Sequence, residues 1–282
     1  MTEVVSAKRI RVLHVSDIHC GRPFVAAHVD AAMSLARALS IDAIAVSGDM
    51  AQRARIHEFE AARPLLATFR EIAPTIVVPG NHDTAWWRAP FGVGDASKLH
   101  ERYRRYVDDN LEPTLHVPGV SVVGLNSSAG MLPHALAWYP RHWRVKGGLT
   151  VAQLTGARMR LAESPRGDLR ILVVHHNVMR GALSNRWGLT RPLAALDAIA
   201  LAAPHVVCTG HDHQERVEVV SRASGRFIAA CAGTLSNRMR GHRPSSLNVI
   251  ESDGVAVRVT AWVYRDGAFE PGPMQAELPL TA

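Results

Sequence analysis

The chain has 282 residues, of which 47% are hydrophobic and 20% are charged, a composition that predicts a globular protein with a sizeable core and excludes wholesale disorder. The formal net charge is +7, and nearly all the positive charge is scattered arginine. That scatter favours a compositional origin, such as a GC-rich genome, over a nucleic-acid or membrane-binding surface.

Cysteine usage and hydropathy predict a cytoplasmic location. Cys20, Cys208 and Cys231 form no even disulfide set, and the N-terminal sequence has no apolar leader. No apolar stretch approaches the roughly 20 residues that span a bilayer. The oligomeric state stays open.

Short apolar runs alternate with amphipathic segments in the first part of the chain. Strand patterns occupy residues 10–15, 43–46 and 75–78, and helical patterns occupy residues 26–39 and 56–70 between them. This βαβαβ order predicts an α/β fold with parallel strands.

The segment 84–118 interrupts this rhythm. It contains several aromatic side chains among arginines, namely Trp86, Trp87, Phe91, Tyr103 and Tyr106, and its part 95–111 has helical character. We predict one domain over residues 1–282, with 84–118 as a possible insertion that caps a substrate.

The second half of the chain contains further strand patterns. Residues 120–125, 171–174 and 206–208 are apolar runs, and residues 150–161 form a helical pattern with Thr150 as N-cap and Gln153 three residues on. After residue 214 the pattern is β-rich, with strands expected at 217–220, 227–231, 247–250 and 255–264. Asp253-Gly254 predicts a hairpin between the last two.

Metal-binding side-chain types follow five of the predicted strands. The segments are Ser16-Asp17-Ile18-His19, Ser47-Gly48-Asp49, Pro79-Gly80-Asn81-His82-Asp83, His175-His176-Asn177 and Gly210-His211-Asp212-His213. Ligands of open α/β sheets collect outside the carboxyl ends of the strands, so these groups should meet at one rim. Crowded carboxylates and imidazoles need a cation, and the mixture suits Mn, Fe, Zn, Co or Ni better than Mg or Ca.

The order D-x-H, GD, GNHD, HH and GHxH resembles the calcineurin-like metallophosphoesterase family, nearest to its bacterial cyclic-nucleotide phosphodiesterase-like branch. The resemblance implies a four-layer α/β/β/α sandwich with two central mixed sheets. It also implies two divalent transition-metal ions bridged by one Asp and one hydroxide. By motif position the first ion is held by Asp17, His19 and His213, the second by Asn81, His175 and His211, and both by Asp49.

The resemblance also implies an activity. The metal-bridging hydroxide would attack a phosphodiester of a small anionic substrate that is like a cyclic nucleotide. His82, the non-ligand catalytic histidine, would stabilise the transition state or protonate the leaving group. Asp83 would either orient that imidazole or brace the turn.

Several positions keep alternatives open. His175 is the ligand by motif position, which leaves His176 to face the substrate, and Asn177 replaces the Pro that often follows in the family. Arg22 is a candidate phosphate contact. Trp86 and Trp87 either pack in the core or form a wall of the substrate pocket.

Two negative expectations concern the surroundings of these motifs. Gln52 stands where purple acid phosphatases carry a Tyr, three residues after the bridging Asp, which argues against an Fe(III)–tyrosinate site. We expect no dedicated arginine cluster beside the motifs, and the basic loop 237–243 is assigned to solvent in preference to phosphate. Diesters should therefore be better substrates than dianionic monoesters.

Four alternative functions remain. A UDP-diacylglucosamine-type pyrophosphate hydrolase would use residues 84–106 to hold acyl chains, and a phosphomonoesterase would use the same metal site. A nuclease is disfavoured because no strand carries an aromatic and basic platform. An inactive metal-binding scaffold is disfavoured because all seven ligand positions and His82 are present.

Overall fold

The computed structural model describes residues 9–88, 95–129 and 146–280. Its strands, in chain order, are β1 (Ile10–Val15), β2 (Ala43–Val46), β3 (Thr75–Val77), β4 (Thr114–Val117), β5 (Val120–Leu125), β6 (Leu169–Val174), β7 (Val206–Thr209), β8 (Arg216–Arg222), β9 (Gly225–Cys231), β10 (Ser246–Ser252), β11 (Ala256–Arg265) and β12 (Ala268–Pro279). They form two six-stranded sheets with the orders β12-β11-β10-β1-β2-β3 and β4-β5-β6-β7-β9-β8.

Both sheets are mixed, with a parallel centre. In the first sheet β1 pairs in parallel with β2, and β2 with β3, whereas β10 runs antiparallel to β1. In the second sheet β5, β6, β7 and β9 are parallel neighbours. The parallel strands are the ones that the metal-binding segments follow.

Helices cover the outer face of each sheet. They are α1 (Ala26–Ala38), α2 (Ile56–Ile72), α3 (Glu101–Tyr106), α4 (Val151–Ala162) and α5 (Pro192–Leu201), with short 3₁₀ turns at Trp86–Arg88 and Ala96–His100. The first three helices pack on the first sheet, and α4 and α5 pack on the second.

The strands alternate their side chains between two apolar layers, as a pleated sheet requires. In β1, Leu13 and Val15 pack against α1 and α2, whereas Val12 faces the second sheet and meets residues such as Val122. A third layer joins the second sheet to α4 and α5. Three apolar layers between four structural layers confirm the predicted α/β/β/α sandwich.

Most predicted elements are present. The strands at 10–15, 43–46 and 120–125 match in both bounds, and Thr150 caps α4 in a reciprocal capping box with Gln153. β10 and β11 form the antiparallel hairpin that Asp253-Gly254 predicts. The sequence patterns missed β4, α5 and β12.

The segment 84–118 is partly integrated into the sandwich. Tyr103 is fully buried in the first core layer, and β4 forms an edge of the second sheet by pairing with β5. Phe91 lies outside the described residues. The part of the segment for which a substrate-capping role stays a prediction is therefore the aromatic part around Trp86 and Trp87.

Among the helices of the described residues, we find none with the length and apolar character needed to cross a membrane.

Candidate metal centre

The metal-binding segments lie where the two sheets present their parallel strand ends. Asp17, Asp49 and Asn81 follow the neighbouring strands β1, β2 and β3, and His175 and His211 follow β6 and β7 of the other sheet. The rim that the sequence predicted is therefore shared between both sheets.

One cluster combines Asp17, His19, Asp49 and His213, whose ligand atoms lie within 4.8 Å of one another. The Nε2 atoms of His19 and His213 are 3.1 Å apart, and His213 Nε2 lies 3.0 Å from Asp17 Oδ1. Four ligand atoms from three distant parts of the chain thus converge on one small volume.

A second cluster combines His175, His176 and His211 beside Asn81. The amide oxygen of Asn81 lies 3.0 Å from His175 Nε2 and 2.9 Å from His211 Nδ1, and these two ring nitrogens are 3.3 Å apart. This geometry groups Asn81, His175 and His211 as the family resemblance implied.

Asp49 lies between the two clusters. Its Oδ2 is 3.4 Å from His175 Nε2 in one cluster and 3.8 Å from His19 Nε2 in the other. Its Oδ1 accepts a hydrogen bond from the backbone N–H of His82 at 2.8 Å. One oxygen is held by the backbone while the other points between the clusters, which is the position of a bridging ligand.

Asp17 is arranged in the same way. Its Oδ2 accepts hydrogen bonds from the Ser16 hydroxyl at 2.6 Å and from the His211 N–H at 2.9 Å. Within the described residues, its Oδ1 and the Oδ2 of Asp49 are buried and accept no well-aligned hydrogen bond. Buried carboxylate oxygens without donors are costly unless a cation is present, so the residues fit a metal centre.

The imidazoles are prepared as ligands by their backbone contacts. His175 Nδ1 donates to the Ser47 carbonyl at 2.7 Å and His213 Nδ1 donates to the Arg238 carbonyl at 2.7 Å, which leaves each Nε2 lone pair facing a cluster. Burial lowers the pKa of His175, and it lowers that of His19 to about 4. Neutral imidazoles are the form that binds a metal.

The two carboxylates differ in their electrostatic surroundings. Burial raises the pKa of Asp49 well above its ordinary value, and the negative charges of Asp17 and Asp83 raise it further. Burial also acts to raise the pKa of Asp17, but His213 and His19 outweigh it and hold that pKa low. A cation between the two acids would remove their mutual repulsion.

Five of the seven predicted ligands have a left-handed backbone. The φ angles are 55° for Asp17, 50° for His19, 55° for Asp49, 70° for His211 and 55° for His213. A non-glycine residue held in a sparsely populated conformation costs roughly 1–3 kcal/mol, and such strain clusters at functional sites. No pattern in the sequence indicated this strain.

The glycines that precede the ligands allow close backbone approach. A Cβ on Gly80 would collide with the Asp49 carboxylate, and a Cβ on Gly210 would collide with the side chains of Ser16 and Asp17. The structure thus explains both glycines by contact with ligand side chains.

A buried polar network that the sequence analysis overlooked lies beneath the centre. Asn248 Nδ2 donates to His14 Nδ1 at 3.0 Å, and His14 Nε2 pairs with the Ser47 hydroxyl at 2.9 Å. Ser47 also provides the carbonyl that orients His175. The signal available in the sequence was a histidine, His14, within the otherwise mainly apolar run of strand β1.

His82 sits beside the first cluster without joining it. Its ring centroid is 4.9 Å from that of His19, its Nδ1 donates to the Gln52 carbonyl at 2.6 Å, and its Nε2 lies 3.3 Å from Arg238 Nη1. Burial lowers the pKa of His82 well below 6.5, and the neighbouring His19 and Arg238 lower it further.

Asp83 does not contact the His82 imidazole among the described residues. Its carboxylate accepts backbone N–H groups from Ala51 at 2.8 Å, Gly80 at 2.9 Å and Met50 at 3.2 Å. Burial raises its pKa to about 7 in spite of these donors. Of the two roles that the sequence left open, these contacts support bracing the turn.

The predicted substrate contacts differ in how close they lie to the clusters. His176 belongs to the second cluster, with its Nδ1 2.8 Å from the Ser127 hydroxyl and its ring centroid 4.5 Å from that of His211. Trp86 and Trp87 pack edge to face, and Trp87 is 42% exposed. Arg22 is exposed and lines a neighbouring cleft.

That cleft corrects one expectation. No arginine cluster was expected beside the motifs, whereas four arginines line one cleft of about 710 Å³ next to His82, namely Arg22, Arg53, Arg55 and Arg238. These arginines are dispersed along the chain and meet only in the folded protein, so no continuous basic segment in the sequence indicated the cluster. The basic loop assigned to solvent supplies Arg238.

The fold and the centre together define a family. A family model described as calcineurin-like phosphoesterase matches residues 10–215, so the chain belongs to the calcineurin-like phosphoesterase family. Among curated proteins, the chain is similar to the 3′,5′-cyclic adenosine monophosphate phosphodiesterase CpdA of Escherichia coli (strain K12), with 26% identity over 62% of this chain and 55% of the relative. The match thus spans about half the length of that relative.

Solved structures show the same fold at low identity. A purple acid phosphatase, PPD1 from yellow lupin (Lupinus luteus) seeds, has a TM-score of 0.68 with 10% identity over 97% of this chain and 54% of that protein. A dimetal phosphatase from Danio rerio has a TM-score of 0.65 with 14% identity over 96% of this chain and 99% of that protein.

Proposed function

We propose that this protein is a two-metal phosphoesterase that hydrolyses a phosphodiester of a small anionic substrate. The observation that carries the proposal is the position of Asp49, whose Oδ2 lies between a cluster with His19 and a cluster with His175. Asp17, His19 and His213 would hold one ion, and Asn81, His175 and His211 the other. Their mixed oxygen and imidazole donors suit Mn, Fe, Zn, Co or Ni.

A metal pair of this kind lowers the pKa of bound water and neutralises phosphoryl oxygens during in-line displacement. The chain's own residues fix the donors in advance. The Ser47 and Arg238 carbonyls set the imidazole tautomers, and the backbone N–H of His82 holds one oxygen of Asp49. This preorganisation reduces the rearrangement needed on binding.

His82 is the proposed proton donor to the leaving oxygen of the substrate. Because a carbonyl only accepts, the bond to Gln52 keeps the His82 proton on Nδ1 and turns Nε2 toward Arg238 and the cleft. When Nε2 also carries a proton, it can donate to a leaving oxygen. Asp83 supports this geometry from below by holding the turn between Gly80 and His82.

The preference for a diester has one support, which is that the relative CpdA is named as a cyclic adenosine monophosphate phosphodiesterase. Proton donation by His82 to an alkoxide-type leaving group would serve diesters and monoesters alike. The low charge of a diester no longer supports the preference, because the arginine-lined cleft can neutralise additional anionic oxygens.

The first test measures metal and activity together. We expect the metal-reconstituted protein to contain two transition-metal ions per chain and to hydrolyse bis(p-nitrophenyl) phosphate faster than p-nitrophenyl phosphate. Chelation should abolish both activities. Elemental analysis without metal, with activity insensitive to chelator, would overturn the proposal.

Other outcomes of the same test separate the alternatives. Two bound ions with no hydrolysis of any phosphoester would identify a metal-binding scaffold. A preference for the monoester would identify a phosphomonoesterase, with the metal site unchanged. Hydrolysis restricted to a nucleotide–lipid pyrophosphate would support the alternative in which the aromatic segment holds acyl chains.

A further inference from the structure

The arginine-lined cleft is a separate compartment next to the metal centre. Arg22 reaches it from the loop after β1, Arg53 and Arg55 from the loop before α2, and Arg238 from the loop after β9. Its volume of about 710 Å³ falls within the range of small-molecule sites. Three separate loops thus contribute arginines to the lining of one cleft.

The cleft has positive charge without a matching negative charge. Among the described residues, Arg22, Arg53, Arg55 and Arg238 form no ion pair, whereas Arg240 pairs with Asp212 and Arg243 with Glu215. The acidic residue in the cleft wall, Glu58, is 3% exposed.

Glu58 is already engaged by the backbone. One carboxylate oxygen accepts the N–H groups of Arg53 at 2.7 Å and of Arg55 at 3.1 Å. The same contacts fix the loop that presents both arginines. The carboxylate therefore shapes the cleft and leaves its guanidinium groups available for an anion.

The cleft adjoins the leaving side of the proposed reaction. Gln52 and Arg238 line it, Gln52 accepts from His82 Nδ1, and the Arg238 guanidinium contacts both His82 Nε2 and Gln52 Oε1, the latter at 3.1 Å. A leaving group that takes a proton from His82 Nε2 would extend into this space.

We propose that the cleft binds a second phosphoryl group, carried by the leaving group of the substrate. The inference rests on the proposed phosphoesterase function and narrows its substrate class to phosphoesters with a further phosphate on the departing side. Water attacks the scissile phosphorus, the bond from phosphorus to the leaving oxygen breaks, and a proton passes to that oxygen. The distal phosphate is not cleaved and contributes binding through charge-assisted hydrogen bonds to arginine.

A matched substrate pair tests this proposal with the metal-loaded protein. Both are methyl aryl phosphodiesters, and the aryl leaving group carries either a phosphonomethyl group or an uncharged group of similar size. We expect kcat/KM to be about tenfold higher for the charged substrate, because several arginine contacts each contribute a modest factor at an exposed site. The advantage should decrease as salt is added.

The variant that lowers the charge is Arg53→Gln combined with Arg55→Gln. Arg238 stays intact because it contacts His82, and Arg22 stays intact because it is a candidate phosphate contact. We expect the double variant to lose most of the advantage of the charged substrate while its kcat/KM for the uncharged substrate stays within about twofold, since both side chains are exposed. Arg158→Gln, an exposed arginine on α4, is the matched control and should keep the advantage.

The outcomes separate this inference from the proposed function. Absence of metal-dependent hydrolysis of both substrates would overturn the phosphoesterase proposal itself. Hydrolysis of the uncharged substrate without a preference for the charged one would overturn the cleft proposal alone. A preference that persists undiminished in the double variant, shown by its thermal transition to be folded, would also overturn it. The single variants Arg53→Gln and Arg55→Gln repeat the measurement if the double variant is unfolded.

Discussion

The metal centre and the arginine-lined cleft are neighbours built in opposite ways. The metal centre is built from fully buried side chains such as Asp17, His19 and His175. Hydrogen bonds fix one carboxylate oxygen of Asp17 and one ring nitrogen of His175. Arg22 and Arg53, in contrast, are exposed side chains on loops. The proposed chemistry is thus held by buried side chains, while the charge proposed to select the substrate is carried by long exposed side chains that adapt at little cost to the fold.

This contrast predicts a large effect wherever the rigid part is changed. Asp49→Ala should release both metal ions and abolish hydrolysis, because one carboxylate lies between the two clusters. Even partners outside the ligand set change metal affinity by about 10–100-fold, so the loss of a bridging ligand should exceed that range. Elemental analysis and turnover of bis(p-nitrophenyl) phosphate measure the two losses.

Asp30→Ala, at an exposed position on α1, is the matched control and should retain metal and activity. If Asp49→Ala retains both ions, the bridging assignment is wrong.

His82 stands at the boundary between the rigid and the adaptable part. His82→Ala should keep both ions and lower kcat by about 10²–10⁴-fold, the range for removal of a general acid. His82→Gln should give a similar loss, because the amide has no titratable proton. Metal content and kcat are measured on the same preparations.

Loss of metal from His82→Ala, comparable to that of Asp49→Ala, would contradict the separation of roles. It would show that His82 is a ligand or that its ring packs the first cluster together through His19.

The smallest effect is expected from the aromatic pair. We propose that Trp86 and Trp87 form a wall for the base or other organic part of the substrate, where stacking contributes about 1–3 kcal/mol per base. Trp86→Ala combined with Trp87→Ala should lower kcat/KM for a nucleotide diester by about tenfold and spare bis(p-nitrophenyl) phosphate. Steady-state kinetics on both substrates provides the measurement.

Trp87→Ala alone is the safer variant, because Trp87 is 42% exposed. It removes one cation–π interaction, in which the Arg102 guanidinium lies 5.8 Å from the centroid of the Trp87 ring. An equal loss on both substrates, together with a lower thermal transition, would mean that the tryptophans stabilise the fold.

The meeting of these residues at one rim could be predicted from the sequence because they follow strands with clear patterns. Strand β1, which precedes Ser16 and Asp17, is apolar apart from Arg11 and His14. Gly80 and Gly210 mark turns whose backbone lies against Asp49 and Asp17, and Gly48 lies against His175. Hydrophobic period and turn chemistry are local signals, so one sequence was sufficient for them.

The missed elements lack such local signals. Strand β12 contains Pro271, Pro273 and Pro279 and is tolerated because it lies at the edge of its sheet, where missing N–H donors cost little. Helix α5 is apolar on most faces and has no amphipathic period to detect. The arginine cleft and the His14–Asn248 contact depend on residues that only the tertiary fold brings together.

The order of strands in the first sheet also limits the stage of protein synthesis at which the metal centre can form. Strand β1 near the N-terminus is completed by pairing with β10, and His19 meets His213 across 194 residues of chain. Contacts of such long range make folding slow, since the closure entropy is spent before they form. A nascent chain on the ribosome therefore cannot assemble this centre until most of it has emerged, and the proposed ions would be acquired only at the end of synthesis.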